Sequence, residues 1–273
     1  MGSQLGNVVF VIWRESVEAL LIIGILNTWL RHNDIGGRGQ LFLWSGVAAG
    51  LLAAVAFGTV IALFGESIPD NTQQTYQAVA VLVAAGLIVQ MVVWMRKHGR
   101  TLKGELETAL KDASARANWW GMFALAAIAV AREGAETVVF LFGTLAAMKS
   151  TSLPGTLAAV TAGFGLALAT YYALQLGSRI LTWRLFFRVT EIMLLLLAAS
   201  LLVTGVDILG DLGILPISHR LWDSSVWLPD SGSFGGLLGA LTGYRARPDG
   251  VEILTYGLYW GAIYWLLQRI RSA

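Results

Sequence analysis

Seven mostly apolar stretches of about 17 to 29 residues run through this chain, near 5–30, 39–64, 75–96, 119–147, 154–178, 185–209 and 252–268. Each is long enough to cross a hydrocarbon layer of ~30 Å as a helix. Lipid offers the backbone no hydrogen-bonding partners, so a lone segment of this kind must satisfy its amides and carbonyls internally. Only 13% of the residues are charged and the mean hydropathy is +0.66, against roughly 25% charged in soluble domains. The pattern predicts an all-α membrane protein with seven transmembrane helices. No stretch outside the spans is long enough for a soluble domain, so residues 1–273 read as a single transmembrane domain. The first stretch has no basic segment before it and no small-residue cleavage site after it, which predicts a retained helix rather than a targeting signal.

The basic residues set an expected orientation. Twelve fall on one side: Arg31, Arg38, Arg96, Lys97, Arg100, Lys103, Lys111, Arg116, Arg179, Arg184, Arg269 and Arg271. Only Lys149, Arg220, Arg245 and Arg247 fall on the other. Lys and Arg favour the cytoplasmic side, so the N-terminus is expected outside and the C-terminus in the cytoplasm. The inner connection "TLKGELETALKDASARA" from Thr101 places Leu102, Leu106 and Leu110 at helical spacing, as an amphipathic surface helix would. The outer loop, about 211–251, holds Pro216, Pro229 and Pro248 with Trp222 and Trp227. It is expected to fold back over the outer mouth with its tryptophans at the interface.

Two of the apolar stretches carry charge at their centres. "WRESVEALLI" (Trp13–Ile22) and "AREGAETVVF" (Ala131–Phe140) share the pattern R-E-x-x-E. They lie in the first and fourth spans, and each is followed by two more. Three is an odd number, so the second unit enters the membrane upside down. The sequence thus predicts a 3+3 inverted repeat plus one C-terminal helix, with repeat one at about 5–96, repeat two at about 119–209 and the last helix at about 252–268. Binding sites in such transporters lie near the midplane, at the repeat interface. Small residues at close-packing spacing in the second span (Gly46, Gly50, Ala54, Gly58) and the fifth (Gly163, Ala167) agree with tight helix contacts.

Glu15 and Glu18 share one helix face, as do Glu133 and Glu136, because residues three apart are neighbours on a helix. An ionisable group in mid-membrane is costly and usually functional. Two crossing helices would gather up to four carboxylates, which in a low dielectric call for a cation or for protons. Carboxylate oxygens, with no cysteine in the chain and no histidine in the spans, favour a hard ion. Arg14 and Arg132 sit four residues before Glu18 and Glu136. Each either neutralises that one glutamate, leaving Glu15 and Glu133 uncompensated, or holds the whole cluster ionised and sets its rotamers.

The two motifs, with "MVVWMRKHGRTLKGEL" after the third span, "LWD" at Leu221–Asp223 and "GYRARP" from Gly243, resemble the oxidase-dependent iron permease family over essentially the whole chain. That family includes the fungal high-affinity iron permease and bacterial iron and lead permeases. The resemblance implies iron uptake across the cytoplasmic membrane, with Glu15, Glu18, Glu133 and Glu136 as the metal path and Arg14 and Arg132 in support. It also implies delivery of the ion by an extracytoplasmic oxidase, cupredoxin or metal-binding protein. Iron is then cargo, and no permanently bound cofactor is expected. The chain departs from the family pattern at Ser16, which replaces a glycine, and at Gln77, where an acid is usual. It also departs at Glu191, which stands where a small residue is usual and which has Arg188 nearby as a simple partner.

Eight acids lie outside the membrane in this reading, against the four basic residues there. Asp207 and Asp211, one turn apart, form a candidate site at the outer mouth, and Glu191 and Gln77 are candidate secondary positions. Met91 and Met95 read as packing residues, and His32, His98 and His219 as solvated. Nothing in the sequence supports nucleic-acid binding, since the basic residues are scattered at helix ends. The partners expected are the metal ion, membrane lipid and the delivery protein. Three alternatives remain: a permease for another divalent ion such as lead or manganese; an intramembrane enzyme using the Glu pairs for acid–base hydrolysis; and an assembly subunit that binds no metal. The enzyme reading lacks a nucleophile and an HExxH motif.

Overall fold

The structure is a computed structural model describing residues 2–33, 38–67, 69–98, 119–147, 153–175, 183–216, 220–230 and 232–272. The inner connection after Thr101, Lys149 and His219 lie outside the described residues. Eight helices are present among those described: α1 (Gly2–Asn33), α2 (Arg38–Glu66), α3 (Asp70–His98), α4 (Trp119–Ala146), α5 (Leu153–Gln175), α6 (Trp183–Asp211), α7 (Ser233–Thr242) and α8 (Gly250–Ser272). The chain is therefore a multi-pass, all-helical membrane protein. Four helices are long and apolar enough to cross a bilayer: Arg38–Gly65, Thr72–Lys97, Leu153–Gln175 and Phe187–Asp211. α1 and α4, at 32 and 28 residues, are also long enough to span. What sets them apart is the three charged side chains at the centre of each.

Within the described residues, each of the seven apolar stretches lies on a helix. α7 is the addition that hydropathy did not anticipate, since its ten residues are too short to span. It folds inward from the 211–251 segment and packs against α1 and α6. Asn7 Nδ2 donates to the Ala240 carbonyl (2.9 Å), and Ser200 Oγ donates to that of Gly239 (3.0 Å). Gly243 ends the helix in the left-handed region at φ 77°, where a Cβ would also lie 3.1 Å from Ser200 Cα. Glycine meets both demands. Trp222 and Trp227 stay exposed.

The most extensive helix pairs are α2 with α4, α1 with α5 and α3 with α6, and α1 also crosses α4. Near α7, Val8 of α1 packs with Leu141 and Leu145 of α4. Farther along, Leu26 and Leu30 of α1 pack with Met122 and Ala126 of α4. α1 and α4 are thus antiparallel. Glycine sets the approach of two further pairs. A Cβ on Gly50 of α2 would lie 2.8 Å from the Ala127 carbonyl oxygen and from Val130 Cβ in α4. One on Gly163 of α5 would lie 2.8 Å from the Val9 carbonyl oxygen and 2.9 Å from Ile12 Cβ in α1. Counted from the two R-E-x-x-E motifs, Val9 and Ile12 hold the same places in α1 as Ala127 and Val130 in α4. The central apolar core joins α1, α3, α4, α6 and α8, where the Tyr259 hydroxyl donates to the Leu195 carbonyl at 2.7 Å. The outward rows of α2 and α8, Leu52, Val55 and Leu258 among them, are exposed apolar surface of the kind lipid covers.

Because the space at Gly50 is already taken, Gly50→Ala is expected to lower stability by about 1–3 kcal/mol. Gly165→Ala, whose Cβ would meet open space, should be neutral or gain up to ~1 kcal/mol from helix propensity. Thermal unfolding of the detergent-solubilised protein reads the two signs directly.

Candidate functional site

The crossing of α1 and α4 brings three carboxylates together. Glu15, Glu133 and Glu136 each offer an oxygen lying within 4.8 Å of the other two. Glu15 and Glu133 are buried, at 2% and 4% exposure, and Glu136 is half-buried. Each also has an Oε2 buried without a hydrogen-bond partner. Glu18, the fourth acid of the two motifs, is outside this trio but ion-paired to Arg14. At an effective dielectric of 20, two like charges at such separations repel by roughly 3 kcal/mol or more. A cation among the free oxygens would relieve that repulsion and satisfy the unpaired acceptors together.

The two arginines hold different positions. Arg14 is fully buried. Its Nη1 donates to Glu15 Oε1 (2.5 Å) and to Met91 Sδ (3.0 Å), while Nη2 reaches Met95 Sδ (3.6 Å) and Glu18. Its Nε is buried without an acceptor. Arg14 therefore compensates both glutamates of its motif, and Glu15 is not left alone as i, i+4 spacing suggested. The methionines do more than pack, because their sulfurs, weak acceptors, accept hydrogen bonds from a fully buried guanidinium. Arg132 is 40% exposed, and its Nε donates to Glu136 Oε1 at 3.0 Å, with Glu133 Oε1 at 4.0 Å. Its guanidinium lies 4.0 Å over the Trp94 ring. Sequence reasoning missed Met91, Trp94 and Met95 as partners of the arginines; their signal was the run "MVVWM" among the residues carrying the family resemblance.

Glu191 is ion-paired with Arg96 of α3, not with Arg188, which is exposed. The antiparallel packing of α3 on α6 carries the Arg96 guanidinium to it. Gln77 lies half-buried two turns into α3, apart from the carboxylate trio. Asp207 accepts from Arg245 (2.8 and 3.2 Å), which also donates to Thr204 (3.2 Å). Asp211 is exposed and shares with Asp207, Asp249, Glu252, Arg220 and Arg247 a cleft of about 280 Å³. Asp207 is thus neutralised by its own loop.

The "LWD" and "GYRARP" motifs stitch that loop together. Arg247 pairs with Asp223 (3.0 Å), the Ser224 and Tyr244 hydroxyls share a bond of 2.6 Å, and the Ala246 amide donates to Asp230 (2.8 Å). The Ser225 hydroxyl and amide, and then Arg247, hold the Asp223 carboxyl down at about 2. A depressed acid stabilises above its unfolded pKa, and that contribution is lost only as pH falls from about 4 through about 2.

A multi-pass helical bundle with buried carboxylates facing one another across two helices is an arrangement suited to a membrane permease for a cation. The family model described as "Iron permease FTR1 family" matches residues 6–270, and the chain belongs to that family. It is a transporter, not an enzyme, and iron moving into the cell is its substrate. Similar proteins include the ferrous iron permease EfeU of Yersinia pestis, 29% identical over 257 residues that cover 91% of this chain and 88% of the relative. EfeU of Escherichia coli O6:K15:H31 is 29% identical over 252 residues, covering 91% and 90%. No solved structure matches the chain.

Burial separates the two arginines in energy as well. Arg14→Leu strips the buried Glu15 and the half-buried Glu18 of their shared, fully buried partner and is expected to cost about 3–5 kcal/mol. Arg132→Leu removes an exposed partner and should cost about 1 kcal/mol or less. Thermal unfolding in detergent checks the contrast, and equal losses would contradict it.

Proposed function

We propose that this protein carries ferrous iron inward across the cytoplasmic membrane through Glu15, Glu18, Glu133 and Glu136, with Arg14 and Arg132 holding those carboxylates ionised and oriented. The observation that carries this reading is the trio of carboxylates within 4.8 Å, each with a buried oxygen to spare. Four carboxylates and two guanidiniums leave two negative charges, the complement of a divalent ion. The ferrous state follows the names of the EfeU relatives. Oxygen donors suit it as a hard ion, and the arginines occupy one oxygen of Glu15 and one of Glu136, leaving the other free.

The framework is one transmembrane domain of seven spans, α1–α6 and α8, arranged as two inverted units of three plus a last helix. Its support is the antiparallel crossing of the two motif helices and the matched seats of Gly50 on α4 and Gly163 on α1. The Lys/Arg bias argues for an outer N-terminus and a cytoplasmic C-terminus, so α7 lies toward the outside. The excess of acids on that side would concentrate cations, with Asp207 and Asp211 at the mouth and Gln77 and Glu191 as secondary positions. An extracytoplasmic oxidase, cupredoxin or metal-binding protein would deliver the ion there.

Iron uptake into proteoliposomes tests the path. Glu15→Gln, Glu133→Gln and Glu136→Gln are each expected to reduce uptake by at least about tenfold while the protein still inserts, since a neutral amide is cheaper to bury than a carboxylate. Normal uptake by all three, and by Glu18→Gln, would remove the glutamates from the path. Orientation is read separately with single cysteines, the native chain having none. Ser67→Cys and Val226→Cys should react with an impermeant thiol reagent from outside, and Lys97→Cys should not. The reverse pattern would overturn the direction of transport.

A further inference from the structure

Two other oxygens on the motif helices are buried without a partner: Asn7 Oδ1 on α1 and Thr144 Oγ1 on α4. The residues are 6% and 2% exposed. Other helical threonines here donate to a carbonyl one turn back, as Thr137, Thr170 and Thr204 do. Thr144 does not. The Asn7 amide is oriented by its bond to Ala240 of α7, which leaves its oxygen unmet. A buried polar atom without a partner is costly, and two of them call for a ligand.

Their placement is defined by the antiparallel register. Stepping from Glu15 beside Glu136 toward α7, the next pair one turn away is Val11 and Phe140, both buried in the central core. The same step taken again reaches Asn7 on α1 and Thr144 on α4, each two turns, about 12 Å along its helix, from the carboxylates. The corresponding positions on the far side of the crossing, counted from the two motifs, are Leu125 and Leu26. Leu26 is fully buried among Leu30, Leu43 and Met122, with Leu125 packed against them. Polar donors thus stand on one side of the cluster and an apolar plug on the other.

We propose that Asn7 Oδ1 and Thr144 Oγ1 form a neutral oxygen-donor site for the iron ion on the α7 side of the glutamates, where it sheds part of its hydration shell before the carboxylates take it. The inference rests on the carboxylate path proposed above. Amide and hydroxyl oxygens suit a hard cation, yet being uncharged they hold it less tightly than carboxylates. A weaker site ahead of a stronger one lets the ion enter and move on. Val11 and Phe140 keep the two tiers from sharing a continuous water column.

The test uses the full-length protein, with initial rates of ferrous iron uptake into proteoliposomes and equilibrium ferrous iron binding in detergent. Thr144→Val is expected to lower the rate at subsaturating iron by about tenfold while binding at the glutamates changes by less than about twofold. Thr144→Ser, which keeps the hydroxyl, should retain the rate. Asn7→Leu should act like Thr144→Val; where losing the Ala240 bond prevents its insertion, Thr144→Val decides alone. Wild-type uptake by Thr144→Val, or equal losses in Thr144→Val and Thr144→Ser, would overturn the proposal. So would a parallel fall in equilibrium binding. Glu133→Gln separates this from the wider reading. If it abolishes binding and uptake while Thr144→Val transports normally, only the neutral tier fails. If it binds and transports normally, the carboxylate path fails and the tier with it.

Discussion

Arg14 is a full charge with no access to solvent, and the centre of the bundle is arranged around that fact. A guanidinium cannot lose its proton to escape the cost of burial, so the fold must bring acceptors to it. Two come from its own helix, Glu15 and Glu18, and two from α3, the sulfurs of Met91 and Met95. Those contacts lock α1 to α3 and fix the rotamer of Glu15. One Glu15 oxygen is taken by the arginine and the other is left buried toward α4. Arg132 does the same to Glu136 from the opposite helix. The arginines thereby sort the carboxylate oxygens into those bound to protein and those left without a partner.

The two halves of the crossing are alike in motif and unlike in surroundings. Arg14 is sealed among methionines, whereas Arg132 is partly open and stacked on Trp94. Asn7 and Thr144 lie toward α7, and leucines fill the corresponding places on the other side. A strictly symmetric pair of units would bind an ion without preferring a direction of approach. On the α7 side Asn7 and Thr144 lie beyond the buried apolar Val11 and Phe140, whereas on the other side the corresponding places are filled by leucines.

The outer segment follows the same economy. Its family-like motifs touch no carboxylate of the crossing; they tie the loop to itself and to α6. Arg247 with Asp223, Arg245 with Asp207, and the Asp230 carboxylate with the Ala246 amide leave few of those acids bare. The cleft around Asp211 is accordingly a mixed-charge surface, whereas the carboxylate trio at the α1–α4 crossing has buried oxygens without partners.

What the sequence determined by itself was whatever lipid and helix geometry force locally. Apolar runs of spanning length have no alternative to helix in lipid, so the seven stretches predicted the positions of α1–α6 and α8 to within a few residues. Three-residue spacing placed Glu15 with Glu18 and Glu133 with Glu136 on shared faces, because one turn of helix decides that. The tertiary structure decided everything that depends on which faces meet. Nothing periodic in the chain says that Arg96 reaches across 95 residues to Glu191, or that Met91 and Met95 turn their sulfurs to Arg14. Nor does hydropathy reveal α7, a ten-residue, glycine-rich helix inside a polar segment, whose burial exists only because α1 and α6 stand apart enough to receive it. Partners this distant are selected by packing, and a polar atom buried in lipid takes the acceptor that packing brings within reach.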